Sequence, residues 1–214
     1  NVGHVYGVDS RDERTVTRAM IEGRKLALNY EHYYRNYVPG CENARMLWTS
    51  QTLGVRESRR ILGDYVLNTD DFTRQAVFED EIGRYGYPID LHGTRPTDKW
   101  KGDSDSELFE SYCYKNPGES YGIPYRILLP RKLENTLVAG RCVSTDRQMH
   151  GSIRVQAGCF ITGQAAGMAA VLAAGRSVTP RRIPVAELQA KLVKIGAFLP
   201  NFRNVQGGVS CVRH

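Results

Sequence analysis

The chain has 214 residues, 41% hydrophobic and 24% charged, with 29 Lys and Arg against 23 Asp and Glu for a formal charge of +6. That length can bury a core of one or two domains, and the composition is that of an ordinary soluble globular protein. The basic residues are scattered, with no long block and no aromatic interleaving, which argues against a nucleic-acid partner. No run of about 18 apolar residues marks a membrane span, and no pair of His or Cys has metal-ligand spacing, so neither membrane nor metal is expected.

Five cysteines (Cys41, Cys113, Cys142, Cys159, Cys211) form no C-x-x-C and leave an odd count. Reduced thiols in a reducing compartment fit this better than a disulfide framework, which favours a cytoplasmic location. Neither G-x-G-x-x-G nor G-x-x-x-x-G-K-[ST] occurs. The chain opens on Asn1 rather than Met, inside what reads as sheet, so a fragment of a longer protein is expected.

Residues 1–10 are Gly-broken and β-like. From Thr15 to Val38 apolar residues recur with the i, i+3, i+4, i+7 spacing of an amphipathic helix, stopped by Pro39-Gly40. Its Tyr30, Tyr33, Tyr34 and Tyr37 suit either a core or interface stripe or an aromatic ligand platform. Strand-like runs follow at 46–50 and 55–67. Arg56, Glu57 and Arg59 in the second run fit a solvent-facing sheet edge, or a clamp for an anionic or carbonyl-bearing substrate, since the planar guanidinium matches carboxylate geometry. Asn68-Thr69-Asp70-Asp71 signals a helix start before 72–78.

Tyr87–His92 reads as a strand, with His92 either a surface residue or a proton carrier. Residues 93–119 read as a loop-rich excursion around a strand at 108–114, and Ile123–Leu129 as a strand closed by Pro130. Thr136–Ala139 has the length of a fully buried strand and ends at Gly140-Arg141. A loop then leads to a helix over 155–174 made almost wholly of small residues. Gly163 and Gly167 lie four apart with Ala166 and Ala170 on one side, and two interior glycines call for close approach of another backbone or a flat ligand. Pro184, Leu188, Leu192 and Gly196 mark a last short helix, and 198–214 has no strong periodicity.

Three stretches, IPYRILLP at 123–130, LVAGRCVS at 137–144 and GSIRVQAGCFITGQAAGMAA at 151–170, resemble the C-terminal end of the FAD-dependent oxidoreductases, the two-dinucleotide-fold flavoproteins of glutathione-reductase type. GVRESRRILGDYVL at 54–67, YPIDLHG at 87–93 and the opening TVTRAMIEGRKLA are similar to the same family. The family's opening strand, Gly-rich turn and helix, which hold the ADP half of FAD, have no counterpart.

The resemblance implies a mixed α/β (α+β) fold. A β-rich substrate or cap region would span 1–122, and the returning strand and helices of the FAD domain 123–214. It implies cofactor contacts from Gly140 and Arg141, and from Ser152, Arg154, Val155 and Gln156 at the start of the small-residue helix. A helix N-terminus has unpaired N–H groups and roughly half a positive charge, suited to the anionic pyrimidine end of a reduced flavin. Arg141 and Arg154 could instead pair with Asp146 or Glu134. His150 becomes the first candidate for substrate proton handling, and Arg56, Glu57 and Arg59 would face the flavin cavity.

The expected function is two-electron transfer from a small organic substrate to FAD, in an enzyme completed by the missing N-terminal segment and open to homo-oligomerisation. This chain alone is expected to hold FAD weakly or not at all. The rival reading is a binding or assembly module with a basic surface and no redox role.

Overall fold

The computed structural model describes residues 3–91 and 112–202. The expectations for His92, for 108–111 of the predicted strand and for the tail beyond 202 lie outside those residues. The described chain falls into two units, residues 3–58 and residues 59–91 with 112–202.

In the first unit the predicted amphipathic stretch forms helix α1, Glu13–Tyr37. The Asp12 carboxylate accepts from the Arg14 N–H at 3.0 Å, and Glu13 adds negative charge to the first turn. The helix stops where Val38 donates to the Tyr34 carbonyl, ahead of Gly40 at φ 87°. Gly3, at φ 88°, takes the Leu26 and Tyr30 side chains against its open face. Tyr33 stacks on Tyr37 with ring centroids 5.6 Å apart and meets Tyr34 edge-on, all three exposed. Residues 46–50 do not form the expected strand, and Leu47 and Trp48 are 83% and 79% exposed. A strand needs a neighbour to hydrogen-bond, and no ladder forms there.

The second unit begins with scattered bridges rather than the strand expected up to residue 67. Gly63 pairs with Pro130 and Leu67 with Thr145, each as an isolated bridge. Helix α2, Thr69–Thr73, starts as Asn68 predicted. The Asn68 side chain accepts from the Asp71 N–H, and the Asp71 carboxylate accepts from the Asn68 N–H at 3.1 Å. It is shorter than expected and ends before Gln75, at φ 53°.

Strand β1, Glu81–Tyr85, and strand β2, Tyr121–Pro124, then form a two-stranded antiparallel sheet with an irregularity between Glu81 and Gly83. Arg84 lies beneath it, donating to the carbonyls of Gln75, Ala76 and Ser120 and pairing with Glu81 at 2.7 Å. The strand predicted at 123–129 is therefore short: after Pro124 the chain winds into a 3-10 turn, Tyr125–Leu128, that buries Tyr125, Ile127 and Leu128. Residues 87–91 and 136–139 are not strands either.

Helix α3, Arg147–Ile153, occupies what the sequence suggested was loop. Asp146 explains it. Its carboxylate accepts from the Met149 N–H at 2.6 Å and from the Thr69 N–H at 3.0 Å, starting α3 and tying it to α2. Helix α4, Gln156–Arg176, matches the small-residue stretch, and helix α5, Val185–Lys194, follows Pro184 and ends before Gly196 at φ 95°. Phe72, Ile82, Tyr121, Ile123, Met149, Ile153, Ala165, Ala169, Leu188 and Leu192 form the core.

The architecture is a mixed fold of helices around a small antiparallel sheet. The β-rich region expected over 1–122 shrinks, among the described residues, to β1 and the first two residues of β2.

By length and composition alone, α4 is apolar enough to cross a membrane. One side of it, with Gly158, Thr162, Ala165, Ala169, Leu172 and Ala173, packs into the unit. The other exposes Phe160 and Val171 at 70% and 69%. The close approach expected at Gly163 and Gly167 is absent among the described residues, where a Cβ at either would meet open space. It occurs instead at Gly158, where a Cβ would collide with the Ile153 carbonyl.

This contrast gives opposite expectations for two glycines of one helix. Gly158→Ala costs about 1–3 kcal/mol, since a backbone oxygen cannot step aside. Gly163→Ala gains about 0.5–1 kcal/mol from helix propensity. Urea unfolding of both variants checks the pair.

Candidate functional site

The site builds outward from the turn Gly140–Cys142, a single 3-10 turn entered through Gly140 at φ 79°. Other elements hold the backbone on either side of it. The Val138 N–H donates to Leu128 O at 2.9 Å, and the Gly140 N–H to Thr162 Oγ1 at 3.0 Å. Cys142 O accepts from the Ile61 N–H at 2.9 Å, and the Ser144 N–H donates to Ile127 O at 3.1 Å. Arg141 and Cys142 on the turn are exposed.

Thr162 is the residue that sequence reasoning passed over. Its hydroxyl receives the Gly140 N–H and gives its own hydrogen back to the carbonyls of Gly158 and Cys159, at 3.1 and 3.0 Å. A fully buried hydroxyl in a helix of Ala and Gly has to be satisfied, and a threonine in such a run is the signal that could have marked it. The bond seats the turn on the second turn of α4. Arg141 is close enough for its positive charge to draw down the Cys159 thiol, although burial pushes that thiol up and prevails.

The start of α4 lies alongside. Val155 is its N-cap in extended conformation, and among the described residues no side chain caps the helix. Gln156 and Ala157, whose N–H groups are among the first of the helix, are exposed. Uncapped amides beside an exposed arginine make a positive, hydrogen-bond-donating corner that suits an anion or an electron-rich ring. A flavin's pyrimidine end or a phosphate fits that donor set.

Other expected site residues are placed differently. Ser152 is fully buried. Its hydroxyl donates to Tyr87 O at 2.6 Å and takes the Tyr121 hydroxyl at 2.9 Å, so its hydrogen is committed to holding residues 87–91. Burial keeps Tyr121 protonated, its pKa far above the ordinary phenol value. Arg154, the C-cap of α3, donates from Nη2 to the backbone carbonyl of Asp90 at 3.0 Å rather than to the carboxylate of Asp146 or Glu134. Asp146 is occupied with Met149 and Thr69, and Glu134 lies 3.6 Å from Arg181. His150 is fully buried, and its Nε2 lies 2.7 Å from the Arg141 carbonyl, which can only accept, so Nε2 carries the hydrogen. Arg56 and Glu57 belong to the first unit and Arg59 to the second.

A cleft of about 550 Å³ lies elsewhere in the second unit, lined among others by Asp64, Asp80, Tyr125, Arg126, Leu129 and Arg181. Its arginines are engaged within the fold. Arg126 is bidentate to Asp80 at 3.0 and 3.2 Å and lies over the Tyr65 ring, and Arg181 pairs with Asp64.

The sequence profile of the FAD dependent oxidoreductases matches residues 1–192. The chain belongs to the FAD dependent oxidoreductase family. Membership gives the general activity, that of an oxidoreductase and flavoprotein, and implies FAD as the redox group. No curated protein and no solved structure matches the chain.

Two measurements check the geometry. Thr162→Val removes the acceptor of the Gly140 N–H at nearly constant volume and costs about 1–3 kcal/mol by chemical denaturation, whereas Thr162→Ser retains the bond. Mass-mapped alkylation near pH 8 modifies Cys159 more slowly than the same cysteine in the unfolded chain, because burial raises its thiol pKa.

Proposed function

We propose that the turn Gly140–Cys142 and the first turn of α4 form the flavin-facing part of a two-electron oxidoreductase of glutathione-reductase type, acting on a small organic substrate. The observation that carries the reading is the uncapped, exposed start of α4 beside Gly140 and Arg141. Bound flavin would supply the acceptor for the electron pair; this chain's residues supply position and charge. Gly140 lets the backbone approach closely, since no described atom lies within 4 Å of where its Cβ would be. Arg141 adds a full charge to the partial charge of the helix end. Val155 and Gln156 set the donor edge, while Ser152 and Arg154 act one step back by fixing residues 87–91 against α3.

In this reading the dinucleotide-binding turn comes from an N-terminal segment outside these 214 residues. The absence of a G-x-G-x-x-G motif supports that. The chain is a C-terminal portion, and alone it holds FAD weakly. Arg56, Glu57 and Arg59 are the substrate-side candidates. α4 belongs in protein rather than a bilayer, as its packed face and Gln164 argue. The exposed row Tyr33, Tyr34 and Tyr37, with Leu47 and Trp48, supports a second role for the first unit in holding a protein partner, a second copy included.

The test is a titration of the ¹⁵N-labelled chain with FAD, followed by amide shifts and by gel filtration. Weak, saturable shifts confined to residues 140–142 and 155–158, diminished in Arg141→Ala, are expected. A tight, stoichiometric yellow complex would overturn the incomplete-site reading, and no shifts at millimolar FAD would overturn the flavin reading.

A further inference from the structure

The sequence offered His150 as an acid–base group, yet its ring is sealed inside the second unit, with its Nε2 hydrogen directed at the Arg141 carbonyl at 2.7 Å. The pattern of anchors around that carbonyl gives the histidine a different task. On one side Gly140 is held by Thr162 of α4; on the other, Cys142 is held by Ile61 and Ser144 by Ile127. These bonds fix the two feet of the turn. The carbonyl at its apex is held by the imidazole.

The imidazole is itself fixed at the backbone. The His150 N–H donates to Asp146 O at 3.2 Å, and His150 O accepts from the Arg154 N–H at 3.1 Å. α3 is anchored in turn at Asp146, which also takes the Thr69 N–H of α2. A continuous set of hydrogen bonds thus runs from α2 through α3 to the peptide that carries the Arg141 side chain.

We infer that His150 is a positioning residue: it grips the Arg141–Cys142 peptide from behind and sets the direction in which the Arg141 guanidinium leaves the turn toward the start of α4. A peptide held only at neighbouring residues can rotate about φ and ψ, swinging its side chain, whereas a hydrogen bond to the carbonyl fixes the peptide plane. The grip needs a donor at the far end of the ring. Its neutral Nε2–H tautomer suffices for the grip. This rests on the flavin reading of the site for its functional consequence, though not for the hydrogen bond itself.

Glutamine and asparagine separate the possibilities. Gln places an amide N–H near the position of Nε2, while Asn is one carbon shorter and falls short of the carbonyl. Two readouts apply to the full chain: the ¹⁵N and ¹H shifts of the His150 imidazole and of the Arg141 and Cys142 amides without ligand, and FAD affinity from the shift titration.

The wild-type imidazole should appear as the Nε2–H tautomer with a slowly exchanging proton. His150→Gln should stay within about twofold of wild type in FAD affinity, while His150→Asn weakens it about five- to tenfold, the scale of one lost hydrogen bond, and shifts the Arg141 and Cys142 amides. If wild type itself shows no response to FAD, the flavin reading falls while the ligand-free shifts still decide the grip. Equal affinity and unchanged Arg141 and Cys142 amides in His150→Asn would overturn the proposal, as would equal losses in both variants, which would assign them to packing.

Discussion

Everything proposed for the site depends on one hydroxyl. Thr162 sits fully buried in an otherwise small and apolar helix, and its oxygen is where the Gly140–Cys142 turn meets α4. Without that acceptor the half-buried Gly140 N–H would lose its partner, at a cost of about 1–3 kcal/mol. The turn that carries Arg141 would then lose its hydrogen bond to α4. The small neighbours of Thr162 serve the same end. Gly158 allows α4 to start within contact of the Ile153 carbonyl, which is how two helices follow one another with only Arg154 and Val155 between them.

Polar groups do much of the organising in the second unit. Asp146 joins α2 to α3, Arg84 gathers three carbonyls and Glu81 under the sheet, and Gln189 donates to the carbonyls of Glu79 and Glu81 from α5. A sheet of two short strands has few ladder bonds of its own, and an isolated hairpin is marginal in water. These side chains stand in for the strands that a larger sheet would provide.

Legibility from sequence followed how local the causes were. α1, α4 and α5 were readable, because periodicity, small-residue composition, Pro184 and Gly196 all act within a few residues of the helix they define. The capping box of α2 was readable for the same reason. The strands were not. Residues 46–50, 55–67, 87–91 and 136–139 have strand-like composition, but a strand exists only when another backbone lies alongside. α3 was missed because its start is set by Asp146, whose second ligand, Thr69, is 77 residues away. Within the candidate site, the resemblance offers Gly140, Arg141, Val155 and Gln156, and the first two lie on the turn that Thr162 ties to the helix that Val155 caps and Gln156 begins. The burial of Ser152 and His150 could not, since it depends on Tyr87, Tyr121 and the Arg141 carbonyl coming together in space. Thr162 lay in plain view as the one β-branched hydroxyl amid alanines and glycines.

The uncovered flank of α4 has a consequence for handling. Phe160 and Val171 stand on it beside glycines that leave room for another backbone. Any contact formed there between two chains would obey mass action, tightening with concentration and with salts that strengthen apolar burial. A molecular weight is therefore best taken at several dilutions.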